Sequence, residues 1–351
     1  MLDDKAKISQ LDSKNMLGSI ELLGSQVEEV LAQAKQVKIP ASYKKVNNIV
    51  VLGMGGSALG AHVLKSVSLK IPLEIINGYQ APAFVSSKSL VIASSYSGST
   101  EEVLQAVKEA KKKQAKVMVI CSGGQLAQWA RKNKIPVLVF TVNNNPCGSP
   151  RMGLGYSIFG QAAMLANAGI LKFSPAEVKS VLQNIAKYNS LFGVNNAEEK
   201  NTAKQMAGAL FGKSVWYAAS EHLSGNAHIA ANQMNENAKR FGGYFLIPEL
   251  NHHLMEGMLF PETNKNNIKF VLLESGLYDS RVQKRYEITK TILDKNGIEY
   301  VSYKCQEKTK SLQVCEVLML GSYISFYSAM LQGIDPTAIP FVDFFKAELK
   351  R

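Results

Sequence analysis

The sequence predicts an α/β protein of two lobes, each a parallel sheet flanked by helices. Three observations carry that expectation. Short runs rich in Val, Ile and Leu alternate with stretches of helical spacing almost throughout, the pattern of βαβ units whose strands are covered on both faces. The alternation breaks near residues 168–172 and then starts again. At 351 residues, 46% hydrophobic and 19% charged, the chain is long enough for two cores of ordinary size.

Taken in order, residues 1–40 read as a helical segment ahead of the lobes. In the first lobe, 41–170, the expected strands are NNIVVLGMG (47–55), LEIING (73–78), SLVIASS (89–95), KVMVICS (116–122) and PVLVFT (136–141). Between them SALGAHVLKSVSL, STEEVLQAVKEAKKK and QLAQWARKN carry apolar residues at helical spacing, and MGLGYSIFGQAAMLANAGIL is a further helix. In the second lobe, 171–351, KSVWYAAS (213–220), GYFLIPE (243–249), IKFVLLES (268–275) and IEYVSYKCQ (298–306) are expected strands. Their helices are GNAHIAANQMNENAK, SRVQKRYEITKTILDKN and SLQVCEVLMLGSYISFYSAMLQG. The lobes look like one βα design used twice. The first keeps Gly- and Ser/Thr-rich turns at two strand ends. The second lacks most of them and holds the extra stretch NENAKRFGGYFLIPELNHHLMEG. Anion binding is therefore expected of the first lobe and much of the chemistry of the second.

Composition removes several function classes. The N-terminal MLDDKAKISQLDSKNM lacks the apolar stretch of a secretory signal. No run approaches the roughly 20 apolar residues that cross a bilayer, so no membrane partner is expected. Cys121, Cys147, Cys305 and Cys315 are scattered without C-x-x-C spacing, which favours reduced thiols in the cytoplasm over disulfides or structural zinc. The net charge of +12 fits either an anionic partner or a generally Lys-rich surface. Its longest cluster, KEAKKKQAK (108–116), ends an expected helix, where lysines favour the dipole. With no zinc-finger, RNP-like or helix-turn-helix signature, nucleic acid is not an expected partner.

Two turns carry the binding signal. In VVLGMGGSALG, Gly53, Gly55 and Gly56 permit a tight turn and close backbone approach, and Ser57 falls where a helix N-cap would be. Exposed N–H groups and the helix dipole make such a turn an anion site. A dinucleotide fingerprint is the rival, since Gly53-x-Gly55 follows a strand and Glu74 lies downstream. The second turn favours a phosphate monoester. Ser94, Ser95, Tyr96, Ser97, Ser99 and Thr100 place hydroxyls where a strand ends and a helix begins, and Ser95, Ser97 and Thr100 are spaced to face one point. Ordinary capping and turn chemistry is the bland alternative. Glu101 and Glu102 suit the first helical turn and need no catalytic role.

GMGGSALG with SSYSGSTEE resembles the sugar isomerase (SIS) domain, a flavodoxin-like fold that binds phosphosugars. Together with PRMGLGYSIFG, NQMNENAK and PELNHH, the chain resembles the bifunctional phosphoglucose/phosphomannose isomerases from about residue 45 to its end. The resemblance implies two SIS domains, a homodimer, and metal- and cofactor-free interconversion of fructose 6-phosphate with glucose 6-phosphate and mannose 6-phosphate. Gly56, Ser57, Ser95, Ser97 and Thr100 would then hold the substrate phosphate.

Such a reaction opens a ring, moves a proton between C1 and C2 and stabilises an enediolate. One carboxylate over both carbons can shuttle the proton. Glu236 is the candidate, among the amides Asn232, Gln233, Asn235 and Asn237, and the resemblance places the family's base there. Imidazole suits ring opening near neutral pH. From chemistry alone His252 or His253 could act; the motif favours His252, which the resemblance has supplied by the neighbouring subunit. A zinc site of His252, His253 and Glu256 is a rival, though adjacent histidines rarely point at one ion. Arg151 could stabilise the oxyanion, as the resemblance implies. In GIDPTAIPFVDFFKAELKR, the resemblance has a lysine enter the site; Lys346 is chosen over Lys350 by its place in VDFFK, and Thr337 would help accommodate both epimers. HLMEG and VNNNPCGSPR have no residue-by-residue match. The remaining rivals are a non-catalytic SIS-domain phosphosugar sensor and a nicotinamide dehydrogenase.

Overall fold

The computed structural model describes residues 1–67 and 69–349. Its first sheet is wholly parallel, with β1 (Asn48–Leu52), β2 (Leu73–Ile76), β3 (Ser89–Ser95), β4 (Lys116–Cys121) and β5 (Val137–Val139) in the order β2-β1-β3-β4-β5. The second, also parallel, has β6 (Ser214–Ala219), β7 (Gly242–Leu246), β8 (Ile268–Glu274) and β9 (Glu299–Lys304) in the order β7-β6-β8-β9. Every expected strand is present: β3 spans its expected run in full, β7 begins one residue early at Gly242, and the rest are trimmed by a residue or a few at their ends. The runs are continuous rather than alternating because both faces are covered. All seven residues of β3 are buried, and separate apolar clusters fill the two sides of the first sheet.

The same topology in each sheet places β1 and β6 alike. In the first, the chain leaves β1 for β2 on one side and returns as β3 on the other. The crevice at the carboxyl ends of β1 and β3 is thus a switch point, where ligands of open α/β sheets bind. Both loops with the anion signal lie there.

The expected helices are found at Gly56–Ser66, Glu101–Lys112, Gly124–Lys132, Leu154–Asn167, Ser224–Ala238, Ser280–Lys295 and Lys310–Gln332; Ser68, within the first of these as expected, lies outside the described residues. Pro175–Phe192, Thr202–Ala209 and Leu250–Gly257 are additional helices. Lys310–Gln332 corrects the reading that no stretch matches a bilayer span. It is long and apolar enough by composition, with a mean hydropathy of 1.5, yet 94% of that window is buried inside the fold. It is a core helix against which Ser224–Ala238, Pro175–Phe192 and Thr202–Ala209 pack.

The N-terminal segment joins the lobes. Met16, Ile20, Leu23 and Val27 enter the second lobe's core, while Val30 and Ala34 enter the first lobe's. Helices Gly56–Ser66 and Ser224–Ala238, which follow β1 and β6, pack on each other and run antiparallel. Near the start of Ser224–Ala238, a Cβ on Gly225 would lie 2.7 Å from the carbonyl of His62, late in the other helix. The start of Gly56–Ser66 is therefore beside the end of Ser224–Ala238.

Candidate active site

The anion loops are built by mutual hydrogen bonding. Gly55 adopts φ 47° and Gly56 opens the helix, so Ser57 lies inside the first turn rather than at the expected N-cap. Its Oγ accepts the Tyr96 N–H at 2.7 Å, tying the loop after β1 to the loop after β3. Ser95 Oγ and Thr100 Oγ1 are 2.7 Å apart, and Ser95 Oγ also accepts Gly98 N–H at 3.1 Å. Ser97 is exposed, its Oγ accepting the Ser99 N–H at 3.2 Å. Neither helix, Gly56–Ser66 nor Glu101–Lys112, has a side-chain N-cap bond. In Gly56–Ser66 the N–H groups of Ser57 and Ala58 donate to the carbonyls of Met54 at 3.2 Å and Gly55 at 2.9 Å, so it is the start of Glu101–Lys112 that keeps its first N–H groups for an anion at the crevice.

Arg151 links this crevice to the second lobe. A Cβ on Gly56 would meet the Pro150 carbonyl at 2.7 Å and Arg151 N at 2.9 Å, so only glycine lets the anion loop lie against the Pro150–Met152 turn. Arg151 is 2% exposed. Its Nε donates to Asn237 Oδ1 at 2.5 Å and its Nη1 to Glu236 Oε2 at 3.2 Å. Nη2 donates to the carbonyls of Pro336 at 3.0 Å and Thr337 at 2.9 Å. Burial lowers the guanidinium pKa, and Glu236 acts against that shift. A guanidinium offers five N–H donors. These bonds engage four, leaving one on Nη1 beside a carboxylate whose side chain is 31% exposed.

The other expected residues stand elsewhere. His252 and His253 are exposed on Leu250–Gly257, beyond the carboxyl end of β7. Glu236 precedes the amino end of that strand, whose five residues span about 17 Å at roughly 3.3 Å each. Next to this far end is a cleft of about 780 Å³ between the lobes, lined among others by His62, Lys65, His222, Glu249 and Lys310. Lys346 is exposed on Pro340–Glu348, a helix with none of its residues buried; Lys350 lies outside the described residues. Among the described residues, no ion pair joins Lys346 to Glu236, and no three His, Cys, Asp or Glu side chains are grouped as a metal site.

Residues 42–145 match the SIS domain family, and residues 199–349 match the bacterial phospho-glucose isomerase C-terminal SIS domain. A bifunctional phosphoglucose/phosphomannose isomerase from Caldicellulosiruptor bescii is 30% identical over 345 residues, 95% of this chain and 98% of that protein. The chain belongs to the bifunctional phosphoglucose/phosphomannose isomerase family. Another relative with that name, from Thermoplasma volcanium, is 29% identical over 92% of this chain and 98% of its own length. Among solved structures, a hypothetical protein from Thermus thermophilus has the same fold, with a TM-score of 0.75 at 17% identity over 99% of this chain and 93% of that one.

For this phosphoglucose/phosphomannose isomerase family member, several residues that hold the site were not singled out for that role in the sequence. Asn237, named among the amides around Glu236, is fully buried and orients Arg151; its Nδ2 donates to Ser325 Oγ at 3.0 Å on the long core helix. Gln233, also fully buried, donates to the Arg151 carbonyl at 3.2 Å. Gln26, from the N-terminal segment, places Nε2 at 3.1 Å from the carbonyls of Ser19, Asn144 and Met152. Its Oε1 accepts Gly155 N–H at 3.0 Å, bracing the Arg151 turn from both sides. Tyr96 OH accepts from Asn145 Nδ2 at 2.7 Å and ties the anion loop to the same turn. A glutamine on an amphipathic helix gives no sequence signal for such a role.

Proposed function

We propose that this phosphosugar isomerase reversibly interconverts fructose 6-phosphate with glucose 6-phosphate and mannose 6-phosphate, as a cytoplasmic homodimer with neither metal nor cofactor. The first lobe, 41–170, would be the phosphate-binding SIS domain and the second, 171–351, the SIS domain that carries Glu236 and His252. One observation carries the reading: Arg151 touches the anion loop through Gly56 and Glu236 through its guanidinium.

A phosphate on Gly56, Ser57, Ser95, Ser97 and Thr100 points the sugar's other end toward Glu236. The carboxylate takes the C2 proton of an open-chain aldose and returns it to C1, and the reverse reaction runs the transfer backwards. The free Nη1 donor of Arg151 meets the enediolate oxygen. Ring opening falls to His252 of the partner subunit, because β7 separates a chain's own His252 from its Glu236. Lys346 is assigned to the same site, and Thr337, whose backbone Arg151 holds, lies where both epimers would pass.

The exposed side chains support the pairing. Phe341, Phe344 and Phe345 are 88%, 66% and 61% exposed on the terminal helix. Apolar surface of this kind marks a contact face, and a symmetric pair is the commonest way to cover one. Incubation of purified protein with fructose 6-phosphate, followed by separation of the products, tests the function. Formation of glucose 6-phosphate and mannose 6-phosphate is expected; binding without either product would leave a phosphosugar sensor.

A further inference from the structure

Lys239 follows Ser224–Ala238 with φ 50°, in the left-handed conformation. Helices that end this way ordinarily place glycine or asparagine there, because a Cβ crowds the following carbonyl oxygen in that conformation. Strain held by a long polar side chain calls for a reason outside the turn itself.

The reason is where the ammonium goes. Lys239 Nζ donates to the carbonyl of Asn237 at 3.1 Å and to that of Asp335 at 2.7 Å. Arg151 takes the next two carbonyls, those of Pro336 and Thr337. Two cations from different parts of the chain therefore hold three successive carbonyls of one segment. That segment connects the core helix Lys310–Gln332 to the terminal helix Pro340–Glu348, and it carries a Thr337 hydroxyl that is buried without a hydrogen-bond partner.

We propose that Lys239 is a positioning residue of the isomerase site, and that its ammonium, with Arg151, clamps the Asp335–Thr337 segment beside Glu236. This rests on the reading of Arg151 and Glu236 given above. The ammonium matters because a neutral amine, though it keeps two N–H groups, lacks the charge that strengthens its bonds to the two carbonyls. The charged groups facing it are Arg151 from the Pro150–Met152 turn, Glu236 from its own helix and Asp335 from the clamped segment. Partial burial, then the like charge of Arg151, bring its pKa down to about 8, while Asp335 and Glu236 act in the opposite direction. The clamp is present below that pH and is released as pH rises through it.

The test compares wild type, Lys239→Arg and Lys239→Met across pH 6.5–9.5, with fructose 6-phosphate as substrate. Wild-type kcat should decline above about pH 8. Lys239→Arg, charged throughout, should keep kcat within about twofold of wild type at pH 7 and lose that decline. Lys239→Met should lower kcat about tenfold or more at pH 7, the scale of a small misplacement at a reacting centre, with KM changed less than about threefold. Loss of fold alone would lower the melting temperature of Lys239→Met and leave the alkaline decline of its remaining activity in place; that result overturns the clamp. So does a Lys239→Met enzyme with wild-type kcat. A wild-type chain with no isomerase activity removes the functional reading itself, and this inference with it.

Discussion

At the scale of the residue, the site is a set of hydrogen bonds that leaves few donors unused. Arg151 is held at four of its N–H groups, so its remaining donor and its contact with Glu236 are fixed before substrate arrives, the condition for electrostatic stabilisation at little reorganisation cost. Glu236→Gln keeps an acceptor for Arg151 and removes the proposed base. Its kcat should fall by about 10²–10⁴-fold, while calorimetry still detects fructose 6-phosphate binding; near-normal turnover would show that the base is another group. Ser97→Ala combined with Thr100→Ala acts on the proposed phosphate end. Loss of binding shared by ground and transition states raises KM with kcat little changed, and an increase of about tenfold or more is expected from steady-state kinetics. Incubation with a strong chelator should leave the rate unchanged, and inactivation that added zinc reverses would revive the site of His252, His253 and Glu256.

At the scale of the element, the strands were legible because parallel strands buried on both faces are uniform apolar runs. Ile49, Val50, Val51, Leu90, Val91 and Ile92 are all fully buried, and no other use of the chain produces that pattern so often. Helices at Thr202–Ala209 and Leu250–Gly257 escaped notice because they are eight residues each, about two turns with weak periodicity. The two turns that open Gly56–Ser66 and Glu101–Lys112 were legible from glycine and hydroxyl content, which a turn at a helix start demands locally. The Arg151 turn was only half legible: its arginine stands out, but Gln26, Gln233 and Asn237 reach it from distant sequence, and no local pattern announces a long-range hydrogen bond. One element carries a direct prediction. Gly225→Ala would set a Cβ 2.7 Å from the His62 carbonyl, forcing Ser224–Ala238 away from Gly56–Ser66. Overpacking of this kind costs about 1–3 kcal/mol. Urea denaturation should register it, and kcat should fall because Glu236 rides on the displaced helix; an unchanged midpoint would mean that the helices part freely.

At the scale of the whole molecule, the repeated βα design is used asymmetrically. The helices after β1 and β6 pack antiparallel, so the anion loop at the start of one meets the carboxylate near the end of the other. The same packing turns the carboxyl ends of the two sheets in opposite senses. Ser66 Oγ at the end of Gly56–Ser66 donates to the His222 carbonyl at 3.0 Å, at the loop after β6, so that loop and the helix bearing His252 lie at the far end of the helix pair from Glu236. In the proposed mechanism one chain carries an acid–base group at each end of the second lobe, and a second chain unites them. Complementation tests this most directly. Glu236→Gln and His252→Ala proteins, each inactive alone, are unfolded, mixed in equal amounts and refolded. Random pairing makes half the dimers mixed, and a two-fold pair places one intact site of two in each. About one quarter of wild-type isomerase activity is the predicted result. Mixed dimers that form and stay as inactive as either parent would contradict a site shared between chains.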